Sequence, residues 1–210
     1  MECSGSMAYL SQQMEKRFGI PALKVRFIGF NDIKASLVQI ADSIGGREYV
    51  ERALALVAAE EARVEPIIAA YRRKLAGKTA AVCVGGAYKA IAMIRLLKEF
   101  GVRPVLIGTQ HGSADDYKTI NDFSVDGAVI INDTSPSEIE KYVRERQPDL
   151  FVGNVKERTL ALKMGIPFVD FNHDRKYPLT TYEGMINFIR ELDLTSNSPV
   201  WKWAATELSA

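Results

Sequence analysis

The run Thr79-Ala-Ala-Val-Cys-Val-Gly-Gly86 decides the fold. Thr79 to Val84 reads as a short buried strand, because its residues are small or apolar with no polar alternation. Gly85-Gly86 ends it, and a helix is predicted over Tyr88–Phe100 before the next strand, Pro104–Ile107. The same rhythm continues with a polar loop over Gly108–Ser113 and a helix near Asp115–Asp122. Strand Ala128–Ile131, helix Pro136–Arg146, strand Leu150–Val152 and helix Val155–Lys163 follow. The series closes with strand Pro167–Phe171 and a helix over Tyr182–Leu192. Strands alternating with helices of this length indicate a Rossmann-like α/β fold, with a parallel sheet covered by helices on both faces.

Upstream, Ser6–Phe18 has helical spacing and stops at Gly19-Ile-Pro21, and Leu23–Ile28 alternates as a strand. A helix is expected from Asp32 to about Ile44. After Gly45-Gly46 a long helix runs from about Glu48 to Leu75 with a kink at Pro66. That helix is expected to join two lobes. Residues 1–76 form a partial α/β lobe with the connector, and residues 77–210 form the Rossmann-like domain.

The composition narrows the function classes. The 210 residues are 47% hydrophobic and 25% charged, which suits a globular protein with a real core. The formal net charge of +1 leaves no electrostatic footprint for nucleic acid. No apolar run approaches the roughly 20 residues that span a bilayer, and the N-terminus has no secretory pattern, so a cytoplasmic location is expected. Two cysteines are present, Cys3 and Cys83, without zinc-type spacing. Cys83 lies inside the first regular strand and reads as a small buried hydrophobe. Any metal cluster held here depends on few protein ligands.

Several segments carry candidate chemistry. Gly85-Gly86 lies between a strand and a helix, where backbone N–H groups can approach an anion, although it is not a dinucleotide fingerprint. The bland alternative is a tight strand–helix turn. Asn172-His173-Asp174-Arg175 follows a strand, at the end where open α/β sheets place ligands. His173 reads equally well as a hydrogen-bonded loop residue. Gln110 and His111 fall on the same side of the sheet. Lys156 opens a helix and alone reads as a solvated helix-end lysine. Asp115-Asp116 reads as a helix-start pair that favours the dipole, and not as a metal site. Cys3 lies just ahead of a helix, where the thiolate form is favoured.

The ordered set Cys3-Ser-Gly-Ser-Met-Ala-Tyr-Leu10, Lys16-Arg-Phe-Gly-Ile-Pro21, Gly85-Gly86, Gly108-Thr-Gln110 and Asp115-Asp-Tyr117 resembles α-type subunits of the nitrogenase component 1 family. Phe168-Val-Asp-Phe-Asn-His-Asp-Arg175, Tyr182-Glu-Gly184 and Ser198-Pro-Val-Trp201 complete it. The resemblance spans nearly the whole chain and is nearest the NifE-type branch, which assembles the iron–molybdenum cofactor. It implies that Cys3 is the thiolate that anchors a cluster, with Ser6 close by. Gly85 and Gly86 line the cofactor cavity, and Gln110 supports it. Lys156 faces the cofactor's organic acid, homocitrate.

Asn172 falls where the catalytic subunit has a histidine ligand to molybdenum, and His173 is displaced from it by one residue. An amide is a poorer ligand than imidazole, as befits a scaffold that releases its cargo. Tyr88 stands where some relatives carry a basic residue. The implied partners are a NifN-like β-type subunit and the nitrogenase iron protein. The implied cargo is an iron–sulfur precursor of the iron–molybdenum cofactor. The family's N-terminal domain, with the cysteines of its shared cluster, has no counterpart here. The rivals are a catalytic α subunit of a nitrogenase-like oxidoreductase and a metal-free Rossmann-like binding module. The Trp201-Lys-Trp203 tail is expected either to dock on the chain or to present an apolar patch.

Overall fold

The computed structural model describes residues 4–171, 177–201 and 203, with side chains from Met7 onward. Cys3, Asn172 and His173 therefore lie outside the described residues, as does the side chain of Ser6. The elements run α1 (Ser4–Phe18), α2 (Phe30–Gly45), α3 (Arg47–Leu75), β1 (Thr79–Gly86), α4 (Ala87–Glu99), β2 (Arg103–His111) and α5 (Ala114–Phe123). They continue β3 (Val129–Asn132), α6 (Pro136–Arg146), β4 (Leu150–Gly153), α7 (Val155–Lys163), β5 (Phe168–Asp170) and α8 (Thr181–Ser196).

The five strands pair in parallel in the order β3-β2-β1-β4-β5. β1 is the central strand, and its side chains divide between two cores. Ala80, Val82 and Val84 enter the larger core with α3, α4 and α8, while Ala81 and Cys83 enter the smaller one under α6 and α7. Cys83 is a free thiol, buried as its apolar surroundings in the sequence predict, and burial pushes its pKa well above the usual thiol range. Phe100, Phe151 and Phe188 are fully buried. Each such side chain contributes about 1.5–3 kcal/mol.

The helices have local causes. α5 and α6 begin at Ser113 and Ser135, whose hydroxyls accept the backbone N–H of Asp116 and Glu138 while those carboxylates accept the serine N–H in return. The Asp115-Asp116 pair thus includes a capping residue. α2 is capped from outside, because Glu99 at the end of α4 accepts the Phe30 N–H at 2.9 Å. α3 is a single helix with Pro66 inside it, as expected of a long connector. Its buried residues Val57, Val64, Ile68 and Leu75 form one stripe, and the helix packs against α2 and α8.

Two expectations need correction. Leu23–Ile28 is not a strand. Its backbone groups are satisfied by side chains and by the start of α8, not by a neighbouring strand. Ser36 Oγ accepts from Arg26 N at 2.7 Å and donates to Arg26 O at 2.8 Å. Tyr88 Oη donates to Val25 O at 3.1 Å, and Thr181 N donates to Phe27 O at 2.7 Å. The second correction concerns Gly108–Ser113, read as a loop. β2 continues through His111 because β1 continues through Gly86 and the two pair to the end.

In the Trp201-Lys-Trp203 tail, Trp201 docks on the chain, its Nε1 donating to Thr195 O at 2.7 Å, and Trp203 is exposed. Among the described residues no helix is long and apolar enough to cross a membrane.

Gly184, in the first turn of α8, shows how tightly the final crossover is packed. A Cβ there would sit 2.4 Å from the Leu179 carbonyl carbon, which is backbone and cannot rotate away. Gly184→Ala should therefore destabilise the protein by about 3 kcal/mol, the upper end for an overpacked site. A clear fall in urea midpoint without a change in slope is the expected readout.

Candidate functional site at the carboxyl ends of the strands

Strand order places the topological switch between β1 and β4. Connections leave β1 toward β2 and β3 on one side, while β4 and β5 lie on the other. In open α/β sheets ligands bind outside the carboxyl ends of the strands at such a point. The turns flanking it are Gly85-Gly86 leading into α4, and Gly153-Asn154 leading into α7. Cys83 is in register with Gly153 on one side and Gly108 on the other, so Gly85 and Gly86 extend past the end of the β1–β4 pairing.

Neither glycine is explained by backbone conformation. Gly86 is extended, at φ −114 and ψ 141. Neither belongs to the positive-φ glycines. Nor are they explained by crowding. Among the described residues, a Cβ on Gly86 would meet no atom within 4 Å, and one on Gly85 would meet only Gln110 Oε1 at 4.0 Å. No described residue fills the space over this turn, as a cradle for a bound group requires.

The next element reinforces this. α4 follows N-cap Gly86, which gives no side-chain cap, and its first turn holds no acidic residue, so the positive end of its dipole faces this edge. The expected strand-to-helix junction is thus present, but the strand runs through Gly86 and the helix begins at Ala87, with no residue between them.

Gln110, the next-to-last residue of β2, is half-buried and lies against Gly85. His111 pairs in register with Gly86 and is exposed. Lys156 is the second residue of α7 and is exposed, as a helix-end lysine is expected to be. A cation in a first turn opposes the helix dipole, so the dipole does not account for its presence there. The structure thus brings Gly85, Gly86 and Gln110 together, with Lys156 starting the helix on the opposite side of the switch. β5 reaches this edge at Asp170, and Phe171 N donates to Gly153 O at 2.8 Å. The sequence then passes into Asn172 and His173, outside the described residues.

Polar groups missed by sequence reasoning support the rim. Thr109 is completely buried, and its hydroxyl meets Tyr117 Oη at 2.5 Å. Tyr117 Oη in turn donates to Asn132 Oδ1, tying β2, α5 and β3 at one edge. Glu157 accepts the Asn154 N–H at 3.0 Å and so holds the β4–α7 turn. The spacing of Asn154 and Glu157 is the capping pattern that could have disclosed this role. Tyr88 lies beside this edge, where Arg26 stacks over its ring with the guanidinium carbon 4.6 Å from the centroid. Arg26 and Arg95 both pair with the buried Asp32, at 3.2 and 2.6 Å. Among the described residues, no three His, Cys, Asp or Glu side chains cluster as a metal site.

Burial raises the Glu157 carboxyl pKa above the usual range, against the lowering effect of the Asn154 N–H. A carboxyl raised in the folded state stabilises the protein below its unfolded pKa, and that contribution is lost as pH rises through the folded value. Glu157→Gln keeps an acceptor for Asn154 but cannot ionise. Its melting temperature should therefore gain on wild type between pH 4 and pH 8 in thermal scans. A constant difference across that range would contradict the assignment.

Comparison with known proteins supplies the affiliation. Residues 1–196 match the profile of the nitrogenase component 1 type oxidoreductase family. The chain is 48% identical over 203 residues to the nitrogenase iron-molybdenum cofactor biosynthesis protein NifE of Clostridium pasteurianum, covering 97% of this chain and 44% of that protein. It is 36% identical over 205 residues to the nitrogenase molybdenum-iron protein alpha chain of Herbaspirillum seropedicae, covering 97% of this chain and 42% of that one. The solved structure of nitrogenase Cp1 at pH 6.5 superposes with a TM-score of 0.84 at 23% identity, over 96% of this chain and 49% of that one, which supports the fold. The chain thus spans less than half the length of the relatives it matches in sequence. With a family profile matched over 196 residues and a relative 48% identical, the chain belongs to the nitrogenase component 1 family and is NifE-like.

Proposed function

We propose that this chain is part of a NifE-like assembly scaffold that holds an iron–sulfur precursor of the iron–molybdenum cofactor during maturation. The observation that carries the reading is the open cradle over Gly85 and Gly86, where no described residue crowds the place of a side chain beyond Gln110 Oε1 at 4.0 Å. Greater identity to the biosynthesis protein than to the catalytic chain, 48% against 36%, favours the scaffold.

In this reading the precursor is cargo. It would lie across the β1–β4 switch, against the glycine backbone and the start of α4. Cys3 would be the anchoring thiolate, since soft sulfur is the preferred partner of cluster iron. Ser6 would lie near it, and Asn172 or His173 would give the weaker opposite contact that allows release. Gln110 would orient the cargo from the β2 side. Lys156 would pair with the carboxylates of an organic acid such as homocitrate, where an ammonium and a helix N-terminus act together. The 1–76 segment would serve as a partial lobe carrying Cys3 and the connecting helix, with 77–210 as the Rossmann-like domain. A NifN-like β-type subunit and the nitrogenase iron protein would be the partners, in the cytoplasm.

The rival reading, a catalytic α subunit, rests on the 36% identity to the alpha chain. It requires a firm imidazole ligand, which His173 would have to supply.

Gly86→Val separates binding from folding, because a β-branched side chain suits extended backbone and its Cβ would meet no described atom within 4 Å. The expected result is unchanged melting, with iron retained after anaerobic iron and sulfide reconstitution reduced at least severalfold. Cys3→Ala should lose the cluster as well. Wild type that takes up no iron, or Gly86→Val that takes up as much as wild type, would contradict the proposal.

A further inference from the structure

His111 is the one imidazole among the described residues, since the chain's second histidine, His173, lies outside them. It is exposed, and among the described residues its side chain has no hydrogen-bond or ion-pair partner. The function proposed above gives it no task.

Strand pairing fixes its place on the rim. His111 ends β2 in register with Gly86, the last residue of β1, and Thr109 is in register with Val84. Side chains alternate along a strand, so His111 and Gly86 occupy the same face as Thr109 and Val84. Neighbouring strands lie about 4.8 Å apart, so the imidazole stem stands beside the place where Gly86 lacks a side chain. No described atom comes within 4 Å of that place. The imidazole therefore borders the cradle and is accessible to what fills it.

The backbone beneath it is held on both sides. Tyr117 Oη meets the buried Thr109 hydroxyl and also donates to Asn132 Oδ1. The same ring closes on Gly112, where a Cβ would come within 2.9 Å of Tyr117 and of Ala87 Cβ. Tyr117 thus grips the chain two residues before His111 and one residue after it, and the first residue of α4 shares the contact. The fold fixes the strand end and leaves the imidazole to meet a ligand.

The chemistry selects the partner. A neutral imidazole nitrogen offers a lone pair to iron, and histidine replaces cysteine on one iron of some iron–sulfur centres. A cluster brings its own sulfide, so one protein nitrogen can complete an iron without a cage of three side chains, and none is present among the described residues.

We propose that His111 ligates an iron of the cargo through an imidazole nitrogen, from the β2 side of the cradle. The assignment rests on the scaffold reading and adds a ligand to its site.

The test uses the full chain labelled with nitrogen-15 in histidine, reconstituted anaerobically with iron and sulfide, reduced, and read by pulsed electron paramagnetic resonance. With two histidines in the chain, single variants assign any coupling. A histidine nitrogen coupling is expected in wild type, and it should persist in His173→Gln. His111→Gln, at an exposed position, should melt as wild type does, lose that coupling and retain severalfold less iron. Gly86→Val fills the place beside the ring and should lose the coupling too, whereas iron held adventitiously on an exposed imidazole would survive it. The assignment alone is overturned if iron-loaded wild type shows no histidine coupling. It is equally overturned if the coupling or the iron content survives in His111→Gln, or if the coupling survives in Gly86→Val. Wild type that takes up no iron overturns the scaffold reading together with it.

Discussion

Everything in this molecule follows from the burial of β1 on both faces. A strand whose alternate side chains enter two different cores must lie at the centre of the sheet and be covered by helices on either side. Its parallel neighbours then require crossovers, and crossovers bring every strand-to-helix turn to the same edge. The candidate site is a consequence of that geometry. Gly85, Gly86, Gln110 and the start of α7 come from separate stretches of sequence, yet parallel pairing delivers them to one rim.

At that rim the fold and the site make different demands. Most positions are fixed by packing or capping: Glu157 holds a turn, Thr109 is buried on Tyr117, and Gly184 permits a backbone contact. Among the described residues no packing contact accounts for Gly85 and Gly86, and Lys156 runs against the helix dipole; in the proposed reading these are the positions that face the cargo.

The sequence made the α/β rhythm legible because apolar strands and helix-spaced segments alternate with clear breaks, and every strand from β1 to β5 lies within a residue or a few of its expected place. Leu23–Ile28 misled because alternation reports which side chains are buried, not what the backbone bonds to. Its partners, Ser36, Tyr88 and Thr181, are distant in sequence and two of them bond through side chains. β2 runs past its expected end because its polar stretch, Thr109 to His111, is held by pairing with Val84 and Gly86 and not by apolar burial alone. The glycine pair could be located in the sequence but not explained there, since open space is a property of the assembled rim.

The most direct test of the central claim is the position of iron. Crystals of the chain reconstituted anaerobically with iron and sulfide, measured at the iron absorption edge, would locate it without assumption. The account predicts anomalous density outside the carboxyl ends of β1 and β4, against Gly85 and Gly86 and on the side where α7 begins. Iron bound at any other face of the sheet, or no ordered iron in protein that carries it, would contradict the account.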